Sequence, residues 1–290
     1  MVIRKIYSFF LLCAAALLIV TCVSKPRIEK EQFTRQFFSH TILFNPEVPK
    51  ESPQLALALS PLRMNYPQEQ AAFFNQFLYS TDNLFEYRDR VVAEQRENYR
   101  IRMFPALVDG DSKVKNWRYS EHIEVECSKN WGMVVESIKN SDSLNRSADD
   151  RGVIVKRTTG YVAEDLNTRK NTRYIVLDME GFKQVKIDDL FVNFQGERRL
   201  RDIVYDELRR HNGLLKDQPF TDGLFFSDEP ELTFNFFLAE EGLGLHWDAG
   251  QLTPLAFGEM EIVLPWRTIR PLLLNSGIEL LTRFNIYLFM

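Results

Sequence analysis

His246 is the residue whose neighbours in the sequence could do chemistry. It stands two positions before Asp248, and a strand carrying both presents them on one face, opposite Leu245 and Trp247. Glu259 and Glu261 have the same spacing a little further on, so an imidazole and two or more carboxylates could converge as ligands for a divalent metal. An exposed polar strand face accounts for the same residues without a metal, and the sequence requires no cofactor. The other histidines, His40, His122 and His211, are scattered singly. The adjacent carboxylates Asp188 with Asp189 and Glu240 with Glu241 point to opposite faces of a strand, so they read as turn and cap residues rather than a working acid and base. With no G-x-S-x-G elbow, no phosphate-binding loop and no H-E-x-x-H, the chain is not expected to be an enzyme.

A different chemistry is written in the first residues. Arg4 and Lys5 precede an apolar run from Ile6 to Val20, interrupted only by Ser8, and polar residues follow from Ser24, which is the order of a secretory signal peptide over residues 1–21. The run is shorter than the roughly 20 residues that span a bilayer as a helix, and it stops at a cysteine. Ile19, Val20, Thr21 and Cys22 resemble the lipobox of bacterial lipoproteins, with Thr21 in place of the usual Gly, Ala or Ser. That resemblance implies cleavage before Cys22, acylation of Cys22 with a palmitate-like chain, and a lipid-anchored protein in the cell envelope outside the cytoplasm. Val23 rather than Asp after the cysteine favours an outer membrane where the cell has one. An uncleaved anchor and plain secretion are the alternatives. Cys13 lies in the segment to be removed and Cys22 is blocked by lipid, so Cys127 has no disulfide partner within the chain. The alternation Ile123, Val125, Cys127 puts that thiol on the apolar face of a strand.

Behind the leader, 45% hydrophobic content with 23 phenylalanines is enough for a substantial core, and a formal charge of −4 makes nucleic acid a poor partner. Residues 22–60 read as a proline-punctuated tether carrying a strand near Thr41 to Phe44. Residues 61–180 read as an N-terminal α+β domain. Pro67 opens a helix that runs to about Arg102, with Phe74, Phe77, Leu78, Leu84, Phe85, Val91 and Val92 along its core face. The period then changes to two in Tyr119–Cys127, Met133–Ile138, Val153–Arg157 and Tyr174–Met179, the pattern of an antiparallel sheet.

Residues 181–275 form a C-terminal domain with a helix marked by Leu200, Ile203, Val204 and Leu208 and stopped at Asn212 and Gly213. Leu232, Phe234, Phe236 and Leu238 then face Leu243, Leu245 and Trp247 across a glycine-containing hairpin. Met260, Ile262 and Leu264 make a third strand, and Ile269–Leu274 a short helix. The other side of the hairpin, with Asn235, Phe237, Gly244, His246 and Asp248, is left for water, a neighbouring layer or a partner. Exposed Phe237 beside His246 is the candidate binding pair, and Asn235→Ala should cost little. Residues 276–290 are an apolar tail too short to cross a bilayer as a helix. The fold class is α+β, with antiparallel sheets packed against one long and one or two shorter helices.

The ordered segments Ile187 to Phe191, Phe236 to Leu243, Pro254 to Gly258 and Ile262 to Trp266 resemble the RsiV-like domain. This is the extracytoplasmic module of lysozyme-sensing anti-sigma factors, also found beside peptidoglycan deacetylase domains. The likeness covers about residues 181–275, and Leu62 to Leu78 is similar to the start of the companion N-terminal domain. It implies a binding or sensing module for a lysozyme-like protein or a cell-wall ligand. Where the family commonly has Gly-Gly-Ala-His, this chain has Thr158, Thr159, Gly160 and Tyr161, so no role tied to that histidine is carried over. A structural envelope lipoprotein and a cell-envelope hydrolase of unrecognised type are the alternatives.

Overall fold

The computed structural model describes residues 32–43, 54–108, 117–127, 152–163 and 166–288. The leader, Cys22, the expected strand Met133–Ile138 and the side chain of Cys127 lie outside the described residues. In chain order the elements begin with β1 (Phe33–Arg35), β2 (Phe38–Leu43), β3 (Gln54–Ser60), β4 (Leu62–Met64), α1 (Gln68–Tyr79) and α2 (Leu84–Val108). The strands β5 (Trp117–Cys127), β6 (Gly152–Ala163), β7 (Leu166–Asp178) and β8 (Lys183–Val185) follow, then α3 (Arg198–His211). The chain continues through β9 (Phe236–Leu238), β10 (Gly242–Trp247), β11 (Met260–Pro265), α4 (Trp266–Ile269) and α5 (Asn275–Thr282).

Six strands form the central sheet in the order β2-β3-β5-β6-β7-β8. Its pairings are antiparallel except β3 with β5, which run parallel. A parallel pair needs a long crossover, and here that crossover carries α1 and α2. Pro67 precedes the first residue of α1, but the single long helix of the periodicity is two. Ser80 takes a left-handed conformation at φ 54° and closes α1, while Asn83 accepts the Phe85 N–H at 3.0 Å and starts α2. The run Ser80, Thr81, Asp82, Asn83 is made of residues whose side chains compete for backbone hydrogen bonds, which breaks a pattern that the apolar spacing alone continues. Phe77 and Phe85 are exposed, whereas Phe74, Leu78, Leu84 and Val91 are buried.

β6 and β7 pair over nearly their whole length, from Gly152 opposite Asp178 to Ala163 opposite Leu166. Thr158 to Tyr161 therefore belong to β6. Successive side chains on these strands enter different cores. Val153, Val155, Ile175 and Leu177 pack with α1 and α2, whereas Ile154, Tyr174 and Val176 pack with the C-terminal module.

That module is a three-stranded sheet in the order β11-β10-β9, with Leu238 opposite Leu243, Phe236 opposite Leu245 and Leu245 opposite Ile262. Leu200, Val204 and Leu208 of α3 are fully buried in the same core as Phe236, Leu238, Leu243, Leu245 and Trp247. The alternation puts Phe234 on this face too, but the residue stands outside β9 and is 54% exposed. The Asn235 N–H bonds Thr233 Oγ1 at 3.0 Å, a local turn that ends the strand one residue too soon for Phe234 to join it.

The tail packs against the body. Leu281 and Phe284 are fully buried, and the Phe284 ring lies over Gly152, where an added Cβ would stand 2.2 Å from the ring. Arg283 pairs with the buried Asp178, whose other oxygen accepts the N–H groups of Glu180 and Gly181 in the turn after β7. Among the described residues no helix is long and apolar enough to cross a membrane. Phe284→Ala opens a cavity under β6 and should cost about 3 to 5 kcal/mol. Thermal melts beside exposed Tyr287→Ala check this, with the first strongly destabilised and the second near wild type.

Candidate functional site

β10 and β11 set His246 directly opposite Glu261, and Asp248 and Glu259 follow at the ends of the same pair of strands. The face that carries them does not look into water. It packs on the half of β7 that β8 leaves uncovered, since β8 pairs only with Val176 to Asp178. Beyond that point Asn235 takes the place of a strand: its carboxamide oxygen accepts the Tyr174 N–H at 2.7 Å and its nitrogen donates to the Thr172 carbonyl at 2.6 Å. Asp248 accepts the Thr172 N–H at 2.7 Å.

His246 is fully buried at the centre of this contact. Its Nδ1 is 2.8 Å from Glu261 and its Nε2 is 3.1 Å from Asp248 and 3.7 Å from Glu259. Glu261 also accepts the Tyr174 hydroxyl at 2.8 Å, and Glu259 lies 2.5 Å from Lys170 Nζ and accepts the Thr172 hydroxyl at 3.2 Å. Burial alone would lower the basicity of His246. Hydrogen bonds to Asp248 and Glu261, and the charges of both, outweigh it and raise the pKa from 6.5 to about 8. Burial pushes Glu261 the other way, yet the bonds from His246 and Tyr174 leave its pKa below the ordinary value. At neutral pH the imidazole is thus mainly a cation donating from both nitrogens.

The sequence candidates His246, Asp248, Glu259 and Glu261 do come together, but as an ion-paired cluster. Both ring nitrogens face carboxylates, and among the described residues no group of three or more His, Cys, Asp or Glu side chains is disposed to hold a metal ion. Phe237 is 2% exposed rather than open to a partner. Its ring lies tilted against Tyr174 with centroids 4.7 Å apart and fills the space over Gly244, where a Cβ would stand 2.1 Å from it. Phe237 and His246 join two layers of the protein, and neither is accessible to a ligand.

The groups that sequence reasoning missed lie just outside this contact. A cleft of about 700 Å³ runs over the edge of β7, between the end of β8 and the segments holding Phe234 and Asp248. Arg157, Arg173 and Lys186 line it. Arg157 and Arg173 are directly opposed in the β6–β7 ladder, a relation visible only once the register is known.

These features define an α+β protein with one sheet shared by two cores and a polar joint between its N-terminal and C-terminal parts. Residues 188–267 match the family described as "Protein of unknown function (DUF3298)". Among solved structures, a DUF3298 family member from Bacteroides fragilis is similar with a TM-score of 0.64 and 15% identity, covering 87% of this chain and 96% of that one. A DUF3298 family protein from Pseudomonas aeruginosa is similar with a TM-score of 0.51 and 12% identity, covering 84% of this chain and 96% of that one. At these identities the likeness speaks for the fold. No curated protein sequence matches the chain.

The cluster generates a pH dependence with a definite sign. His246 has a folded pKa above its ordinary value, so its contribution to stability is complete below about pH 6.5 and is lost as pH rises through about 8. That loss should be about 1 to 2 kcal/mol in the wild type and absent from His246→Gln. The facing groups Lys156, Lys170, Tyr174, Asp248, Glu259 and Glu261 are common to both proteins, so melts of the pair between pH 6 and 9 isolate the histidine. A wild type as flat as the variant would refute the assignment. Asn235→Ala, innocuous by alternation, should instead cost about 1 to 3 kcal/mol, because it strips partners from two backbone groups of β7.

Proposed function

We propose that this chain is an exported lipoprotein of the cell envelope, held at a membrane by acylated Cys22, whose globular part is a binding module for a lysozyme-like protein or a cell-wall ligand. The observation that carries the reading is the cleft of about 700 Å³, within the size range of ligand sites, with Arg157, Arg173 and Lys186 in its lining. Cations, amides and apolar side chains hold a ligand, whereas bond-breaking chemistry wants an accessible nucleophile or base. Among the described residues, the histidine set among carboxylates, His246, is fully buried. The resemblance to the RsiV-like domain supports the same class of function, and the leader ending at Cys22 supports the location.

Two measurements test this. Cells labelled with a radioactive fatty acid should mark the wild-type chain and leave Cys22→Ala unmarked; label that persists in the variant overturns the anchor. The immobilised chain should retain lysozyme or purified peptidoglycan at micromolar concentration, and retention of neither overturns the binding module.

A further inference from the structure

We propose that the outer face of α1, with Phe73, Phe77 and the neighbouring Phe182, rests on the lipid bilayer that holds the anchor and inserts its phenyl rings among the headgroups. This depends on the acylation of Cys22 proposed above and adds a second contact with the same membrane. The three rings form one patch: between centroids, Phe73 lies 5.8 Å from Phe77 and 5.7 Å from Phe182. Phe77 and Phe182 are 38% and 42% exposed, and Phe73 is half-buried. The other exposed residues of α1 are Gln68, Ala72 and Gln76, which carry no charge, and Glu69, which stands a turn before Phe73 at the helix start. An apolar patch rimmed by polar groups marks a contact with a protein or a membrane.

The course of the chain selects the bilayer as the occupant. Phe33 of β1 meets Phe74 of α1 with centroids 5.2 Å apart, so the chain enters the fold against this same helix. Residues 23–31 are all that separate Cys22 from Gln32, a reach of at most about 35 Å when fully extended. A body held so near meets the surface at high effective concentration, and a weak apolar contact is then populated. The backbone at Phe182 points the same way. It is left-handed, at φ 49°, in the turn between β7 and β8. Gly, Asn or Asp takes that conformation readily, whereas it costs a bulky residue free energy. Strain of this kind gathers where a side chain has a use, and here it keeps a third ring beside Phe73 at the surface.

The test uses the full chain, purified from cells labelled with a radioactive fatty acid and reconstituted into vesicles of phosphatidylethanolamine and phosphatidylglycerol brominated near the top of the acyl chains. Phe77→Trp places a fluorophore in the patch, and the wild type supplies the baseline of the native tryptophans. Rings that enter the boundary of headgroups and acyl chains to a depth of about 5 to 10 Å bring that tryptophan to the bromines, and its emission should fall about twofold. Leu215→Trp is the control: Leu215 is 76% exposed and follows α3, which packs behind the other face of the sheet, so its emission should not change. Adding Phe182→Asp to Phe77→Trp should remove at least about half of the quenching while the thermal midpoint stays near wild type, because Asp tolerates the left-handed backbone and the site is exposed. Equal quenching at the two positions, none at Phe77→Trp, or no effect of Phe182→Asp overturns the proposal. If quenching is absent, a concentration-dependent dimer assigns the patch to a second copy, and loss of lysozyme retention in Phe77→Asp assigns it to that protein. A labelled chain without quenching overturns the contact and leaves the anchor standing. Quenching of an unlabelled chain overturns the anchor and leaves the contact standing.

Discussion

The backbone of β7 at Thr172 and Tyr174 is the constraint around which the C-terminal module is arranged. β8 is three residues long, so it covers β7 only from Val176 to Asp178 and then turns away. The next groups along that edge are buried beneath another layer of protein, where an N–H or C=O without a partner is costly. Asn235 supplies a donor and an acceptor in one side chain, and Asp248 supplies a second acceptor. Each side chain reaches its partner only if β9 and β10 hold their register, with Phe237 opposite Gly244. The polar edge and the hairpin geometry are therefore one device.

His246 makes the joint selective. A cation buried beside a single carboxylate would be poorly compensated, and here the charges alternate through space from Lys170 to Glu259, His246, and then Asp248 and Glu261. Removing Asp248 or Glu261 leaves the buried imidazolium with fewer partners, so the arrangement disfavours dockings that separate His246 from these carboxylates. That is a structural use for a constellation whose residue types also suit metal binding or catalysis. What separates these readings is access, and the imidazole has none. Asp248 and Asn235 both hold the joint and form one wall of the cleft, so the rigidity that docks the module also fixes the shape of the proposed site.

Period and punctuation made much of this legible in the sequence. The hairpin, its partners across β10, the helix Arg198–His211 and the strand Met260–Pro265 follow from alternation, caps and glycine. Where reading failed, a local hydrogen bond overrode the pattern: the turn at Thr233 released Phe234, and the cap cluster from Ser80 to Asn83 split a helix. Phe237 was lost for a different reason. A period of two sorts side chains between faces, but it cannot say that the second face is also covered. The cleft lay further out of reach, since Arg157 and Arg173 are far apart in sequence and meet only through the β6–β7 register.

That register raises a problem whose solution lies in polar groups. A strand with one wet face is held in place because a slip of one residue carries its apolar side chains into water. Val153 to Val155 and Tyr174 to Leu177 are buried on both faces, so apolar pattern alone tolerates such a slip. The even positions of β7 carry the discrimination: Lys170 to Glu259, Thr172 to Glu259, Tyr174 to Glu261 and Asp178 to Arg283. A slip of one would offer Asn171, Arg173, Ile175 and Met179 to those same partners, setting an aliphatic side chain against Glu261 and taking Asp178 away from Arg283. Gly152 adds a steric check on β6, because a residue with a side chain in its place would collide with Phe284. The apolar residues supply the burial, and the sparse polar set along one face of β7 determines which of two nearly equivalent apolar pairings is the native one.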